Sequence, residues 1–229
     1  AGWAMAHVQD ERENDACVGY FDGVWPYWMD RSEAVTNSFE LSGMWLLTAP
    51  NMSGKSTIMR STAAAALLSV CGLCAPLGPK STVNRFDQIF VRGASADVPA
   101  EKKSAFGAEM EDVAAMLRSC GKKSLVFVDE LGRGTSPRDG TRLAAAVLES
   151  MTMAGMSGVF ATHLHDILDL PLQSSERIVR KRMAIHDVDE QGNELSRYDW
   201  TYRLEDGICT DSLALITSAR FGLPEEVIE

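Results

Sequence analysis

The chain has 229 residues, enough for one large domain with a buried core. Its hydrophobic fraction of 45% and charged fraction of 24% are those of an ordinary globular fold. A formal net charge of −10 argues against a DNA-gripping surface, which needs Lys and Arg to displace counterions. No apolar run approaches the roughly 20 residues of a membrane span, and the opening stretch has neither the regions of a signal peptide nor the Arg/Ser-rich character of a transit peptide.

Residues 1–19 are polar and weakly patterned and read as the tail of a preceding connection, with one domain over 20–229. Both ends read as cuts in a longer chain, since there is no initiator Met and the last residues, LPEEVIE, look helical. The apolar run 45–48 ends in a Pro-containing loop, as a buried strand does, and 56–70 reads as a helix buried on most sides. Strands are then expected at 88–91, 124–128 and 158–161, alternating with helices at 108–118 and 141–153. Fully apolar strands separated by helices predict an α/β fold, with a mainly parallel sheet covered by helices on both faces. The pattern then changes. Segments 182–188 and 198–204 flank an acidic turn and predict a C-terminal β-hairpin, followed by helices around 212–221 and from Pro224.

Five cysteines, at 17, 71, 74, 120 and 209, are an odd number. Cys71 and Cys74 form a lone CxxC at the end of the apolar helix, where small buried thiols fit better than a zinc site and a reducing compartment is the simpler setting. The basic clusters Lys122-Lys123 and Arg180-Lys181-Arg182 are expected to be solvated loop faces.

Three segments carry chemistry. APNMSGKS (49–56) lies between a predicted strand and a predicted helix. Backbone N–H groups of such a turn and of the helix N-terminus point at phosphates, with Lys55 reaching the β- and γ-phosphates and the Ser56 hydroxyl ligating Mg2+. Alone, Gly-Lys-Ser arises by chance; the strand–loop–helix setting is what gives it weight. Ala49 stands where the usual pattern has its first glycine, so the loop must either bear a strained left-handed alanine, costing about 1–2 kcal/mol, or place it at negative φ. The second segment is the apolar strand SLVFV followed by Asp129 and Glu130. Asp129 would serve the Mg2+ shell and Glu130 would orient and deprotonate a water. Alone, such a strand end is more often the start of an exposed loop. The third is Ala161-Thr162-His163, where a histidine past a buried strand can bond a γ-phosphate or the lytic water, and is otherwise structural. His7 and His165 have no comparable support.

APNMSGKSTIMRSTAAAALL, FDQIFVRGASAD with SAFGAEM, DELGRGTSPRDG, FATH and the closing YRLEDG and ARFGLPEEVI occur in one order with close spacing, over roughly residues 20–229. Together they resemble the ATPase domain of the MutS family of DNA mismatch-recognition proteins. Segments VTN (35–37), THLH (162–165) and DLPL (169–172) look most like its plant-type organellar branch. The resemblance implies a P-loop NTPase of ABC-ATPase type using ATP and Mg2+, with Glu130, His163 and Lys55 as catalytic residues and Ser56 and Asp129 at the metal. It implies nucleotide contacts from Ala49, Pro50, Asn51, Met52, Ser53, Gly54, Lys55, Ser56 and Thr57, and an adenine sandwiched by Val35 and His186. Ala34, one place before Val35, stands where the family often has an aromatic. Ser104 would reach the nucleotide of a dimer partner; read from the residues, it would cap its own helix, and both can hold.

The same resemblance implies that mismatched double-stranded DNA is bound mainly by domains outside this sequence, in concert with downstream repair proteins. It also implies an intracellular setting, nuclear, cytoplasmic or organellar, with a mitochondrion or plastid in view, and no membrane. Transporter-type and chromosome-structure ATPases carry an LSGGQ-like signature where this chain has SAFG (104–107). A non-hydrolysing nucleotide-binding module is the remaining alternative, kept open by Ala49 and opposed by Lys55, Ser56, Asp129, Glu130 and His163.

Overall fold

The computed structural model describes residues 2–9, 17–93, 105–132, 134–187, 198–210, 213–224 and 226. Its centre is a six-stranded sheet in the order β10-β9-β4-β8-β7-β6. The strands are β4 (Met44–Thr48), β6 (Gln88–Arg92), β7 (Ser124–Asp129), β8 (Ser157–Thr162), β9 (Ile178–Asp187) and β10 (Tyr198–Asp206). All neighbours are parallel except β10, which runs antiparallel to β9. The expected parallel sheet and C-terminal hairpin are therefore present; the expected acidic turn of the hairpin, 189–193, lies outside the described residues.

Side chains alternate across this sheet, as the pleat requires, and divide the core in two. Trp45 and Leu47 of β4 and Leu125 and Phe127 of β7 face one side, where helix α1 (Lys55–Val70) packs with Ile58, Met59, Ala63 and Ala66. Met44, Leu46, Val126 and Val128 face the other, against α2 (Ala105–Ser119) and α3 (Pro137–Met153) through Val113, Met116, Leu148 and Met151. The hydroxyls buried on α1 are satisfied inside the helix: Ser61, Thr62 and Ser69 each donate to the carbonyl four residues back. Helix α3 starts a turn before its apolar pattern does. Ser136 caps it by accepting from the Asp139 N–H at 3.2 Å, and Pro137 occupies the first helical position.

The α1 face of the sheet is shared with a second, four-stranded sheet that hydrophobic patterning does not reveal. Its order is β1-β5-β2-β3, from β1 (His7–Gln9), β2 (Cys17–Val24), β3 (Asn37–Ser42) and β5 (Thr82–Asn84). Val18 and Phe21 of β2 and Phe39 and Leu41 of β3 enter the α1-side core. The boundary expected at residue 20 thus falls inside β2, and β1 pairs with β5 rather than trailing as a connection. β1 and β5 have three residues each, too few for a period to show, and the longer β2 and β3 mix Gly, Asp, Asn and Ser among their apolar residues, which resembles loop sequence.

Two smaller expectations are corrected. Cys71 and Cys74 are exposed, because α1 ends at Val70 and the chain turns away through Gly72 at φ 71°. Arg180-Lys181-Arg182 is not a loop but part of β9. Lys181 pairs with Asp206 at 2.6 Å, Arg182 pairs with Glu205 at 2.9 Å, and the Lys181 ammonium stands 5.0 Å from the centre of the Trp45 ring. The helix expected around 212–221 is present as the short α4 (Ala214–Arg220); the one expected from Pro224 falls mostly outside the described residues. No helix among the described residues is long and apolar enough to cross a membrane.

Candidate functional site

Parallel register brings three strand ends level. Thr48 of β4 pairs with Thr162 of β8, and Ala161 of β8 pairs with Asp129 of β7. The chain therefore leaves β4 at Ala49, β7 at Glu130 and β8 at His163 side by side, at the carboxyl edge where open α/β sheets bind ligands. Two threonines fix the exits. Thr48 Oγ1 accepts from the Cys209 N–H at 2.9 Å, and Thr162 Oγ1 accepts from the Leu164 N–H at 2.9 Å.

After β4, the 49–54 loop folds back and hands the chain to α1. Ala49 is fully buried and is absent from the residues with positive φ, so the missing glycine causes no left-handed strain. The left-handed positions are instead Met52, at φ 66°, and Gly54, at φ 98°. Ser53 donates its hydroxyl to the Pro50 carbonyl at 2.7 Å. Helix α1 opens without a side-chain cap and without an acidic residue in its first turn, leaving its free N–H groups uncontested for an anion. Lys55 is buried, and its ammonium donates to the carbonyls of Ala49 at 2.7 Å and Pro50 at 3.1 Å.

The acidic pair completes the edge. Asp129 is buried and hydrogen-bonded by Ser56, while its Oδ1 has no hydrogen-bond partner. Burial pushes its carboxyl above the usual carboxylate range, with the neighbouring Glu130 charge adding to the effect; the Ser56 bond and the Lys55 and Arg60 charges oppose it. Glu130 sits at φ 55°, a strained conformation for a glutamate, and its N–H donates to the Ala161 carbonyl at 2.9 Å. Its Oε1 lies 4.0 Å from Lys55 Nζ and 3.7 Å from His163 Nδ1. Lys55, Ser56, Asp129, Glu130 and His163 are thus one cluster: an ammonium beside a helix N-terminus, hard oxygen donors, and a carboxylate able to hold a water.

Next to it opens a cavity of about 400 Å³ whose lining includes Trp28, Val35, Gly54, Thr57, Met183 and Tyr202. Val35 and Thr57 line this cavity. His186 does not: it is exposed on β9 opposite Asp199, three residues from Met183 and so on the other face of the strand. Tyr202 lines the cavity instead. Between Trp200 and Leu204 the β9–β10 register slips, and this bulge holds Tyr202 at φ 55°. Asn37 clamps the bulge from β3, donating to the Tyr202 carbonyl at 3.0 Å and accepting from the Leu204 N–H at 2.8 Å. A Cβ on Gly54 would stand 3.2 Å from Tyr202 Cδ1, so that glycine provides both the left-handed turn and room for the ring. Trp200 Nε1 donates to the exposed Asn51's carbonyl at 3.2 Å, joining the hairpin to the loop. Nothing in the sequence pattern announces the bulge; the aromatic pair in DWTYR is its one visible trace. Ser104 lies outside the described residues.

The family model for MutS domain V matches residues 45–229. The chain is 39% identical, over 209 residues, to the mitochondrial DNA mismatch repair protein MSH1 of Arabidopsis thaliana, covering 90% of this chain and 18% of that protein. It is 36% identical over 190 residues to the DNA mismatch repair protein MutS of Anaeromyxobacter sp. (strain Fw109-5), covering 82% and 20%. With MutS of Methanosarcina mazei the figures are 37% over 187 residues, covering 80% and 20%. The chain spans no more than 20% of the length of these curated relatives. A family model covering most of the chain, over the same residues that build the strand-end cluster, leaves one assignment: the chain belongs to the MutS family.

Proposed function

We propose that this chain binds and hydrolyses ATP as the nucleotide domain of a DNA mismatch-repair protein, built as a P-loop NTPase of the ABC-ATPase type. The observation that carries the reading is the meeting of Lys55, Ser56, Asp129, Glu130 and His163 at adjacent strand ends, beside a cavity reaching Gly54 and Thr57. In this reading the 49–54 loop and the N-terminus of α1 receive the phosphates through backbone N–H groups. Lys55 exchanges its loop carbonyls for phosphate oxygens by rotating its side chain. The base enters the cavity, where Val35 and Met183 offer apolar contact and Tyr202 offers a ring face.

The donor set fits Mg2+. Ser56 and Asp129 are hard oxygen ligands, Asp129 Oδ1 is buried without a partner, and this ion takes few protein ligands while keeping waters and phosphate oxygens. When bound it neutralises charge on the β- and γ-phosphate oxygens. Glu130 accepts the proton of the attacking water, and His163, whose Nδ1 faces that carboxylate, holds the γ-phosphate side of the site.

In the whole protein, the nucleotide state would switch a clamp on mismatched double-stranded DNA. Domains outside this sequence would make most of the DNA contacts, in keeping with the net charge of −10. A dimer partner would receive Ser104, and downstream repair proteins would read the clamp state. The mitochondrial name of one relative favours an organelle, mitochondrion or plastid. The deciding experiment is steady-state ATP hydrolysis by the full-length protein, with and without mismatched duplex and with Mg2+ present or chelated. Mg2+-dependent turnover that responds to the mismatch is the expected result. Tight nucleotide binding without turnover would make the domain a non-hydrolysing module instead.

A further inference from the structure

Glu130 is held in a conformation that an isolated chain would not choose, and the structure contains the device that holds it. The turn after β7 has φ 55° at Glu130 and φ 89° at Gly132, with Leu131 between them fully buried. Gly132 is packed so closely on Gly140 that a Cβ there would stand 2.9 Å from the Gly140 Cα, which leaves the turn little room to adjust. Strained backbone of this kind persists only where surrounding contacts over-determine it. One hydrogen bond sits on each side: Glu130 N–H to the Ala161 carbonyl at 2.9 Å, and Gly132 N–H to Glu109 Oε1 at 3.2 Å.

The second bond is unusual in its acceptor. Glu109 is a carboxylate on α2 that is only 4% exposed, and the same Oε1 receives Arg92 Nη2 at 3.1 Å from the last residue of β6. Arg92 is itself buried, with Nε 4.0 Å from the exposed Asp112. A buried carboxylate–guanidinium pair is a poor way to gain stability, since both charges lose their water. What it does well is fix one oxygen in space. Here that oxygen meets a backbone N–H two residues beyond Glu130.

We infer that Glu109, oriented by Arg92, is a positioning residue for Glu130: it sets the turn that aims the Glu130 carboxylate at Lys55 and His163. The inference rests on the role given to Glu130 above. It requires loss of the Glu109 oxygen to lower kcat while leaving ATP affinity alone, because neither Glu109 nor Arg92 lines the nucleotide cavity.

The test is a set of substitutions in the full-length protein, read by kcat, by KM for ATP and by thermal unfolding. Glu109→Asp keeps the charge, but its carboxylate is one methylene too short to serve Arg92 and Gly132 together. It should lower kcat by about ten- to a hundredfold, the cost of a misplacement near 1 Å, with KM within about threefold. Glu109→Gln keeps length and acceptor and should recover most of the lost rate. On a Glu130→Gln background, Glu109→Asp should add nothing, because a residue that acts through Glu130 has nothing left to position. Parental kcat in Glu109→Asp, or the same fractional loss with and without Glu130, overturns the inference. If Glu109→Asp does not fold, Arg92→Lys carries the test: it keeps the charge but loses the fork, and should lower kcat several-fold at unchanged KM, a parental kcat overturning the proposal. Lys55→Ala, run alongside, separates the two failures. Retained ATP binding there defeats the reading of the site itself, whereas its loss together with a silent Glu109→Asp defeats only the positioning role.

Discussion

The two halves of the candidate site are built in different ways. The strand-end half takes Ala49, Glu130 and His163 from the ends of three adjacent parallel strands, each buried along its length, so their spacing is set by sheet register. The cavity half takes Val35 from the approach to β3, Met183 from β9 and Tyr202 from a bulge in β10, held together by Asn37 and by loop contacts. The first half is rigid because the core is rigid. The second is rigid only as far as a few polar clamps make it so. The proposed chemistry sits on the first half and the proposed recognition of the base on the second, so Glu130 and Tyr202 substitutions should separate rate from affinity, while Lys55, which would face the phosphates, serves both.

The largest expected effect is on the strand-end half. Lys55→Ala in the full-length protein removes the charge that would face the β- and γ-phosphates and should abolish tight ATP binding, read by titration. Near-parental affinity would show that the phosphates lie elsewhere. Glu130→Gln comes next. It should bind ATP but turn over about 10²–10⁴-fold more slowly, the contribution expected of a general base, and an unchanged rate would remove Glu130 from the chemistry.

This contrast also explains what is legible in the sequence. The strand-end half is legible because each part is contiguous: an apolar strand followed at once by its polar residues, as in SLVFVDE or VFATH, survives any uncertainty about tertiary structure. Helix α1 and the parallel strands are legible for the same reason, since burial on both faces writes long apolar runs. The cavity half depends on side chains that meet only after folding. His186 is expected at the base from the family resemblance alone, but alternation along β9 turns it away from the face that Met183 presents. Tyr202 reaches the cavity because a bulge breaks that alternation in β10, and irregular register has no periodic signature. The small sheet escapes for a related reason: β1 and β5 are three residues each, too short for a period to show.

Tyr202→Ala tests the second half directly. Loss of a ring face from the cavity should weaken ATP binding by about tenfold, the order of an aromatic contact worth roughly 1–1.5 kcal/mol, with kcat at saturating ATP nearly unchanged. His186→Ala should do neither. If the histidine substitution weakens binding and the tyrosine substitution does not, the base lies outside the cavity and the comparison between the halves fails.

The smallest effect belongs to the link between the halves. Trp200 Nε1 donates to the Asn51 carbonyl at 3.2 Å, and this contact ties the hairpin to the 49–54 loop. Trp200→Phe keeps an aromatic ring and removes only the donor. A hydrogen bond that is not fully buried contributes about 0.5–1.5 kcal/mol, so nucleotide affinity should fall by roughly two- to tenfold if the bond helps hold the loop ready for phosphate. The rate at saturating ATP should stay at the parental value, since Glu130 and His163 stand on strands that the hairpin does not position. Affinity and rate falling together would mean that the hairpin reaches the chemistry through the loop, and the two halves would then be one unit. Parental affinity would mean that Met52, Ser53 and Gly54 shape the loop without help, through the Ser53 bond to Pro50 and the start of α1.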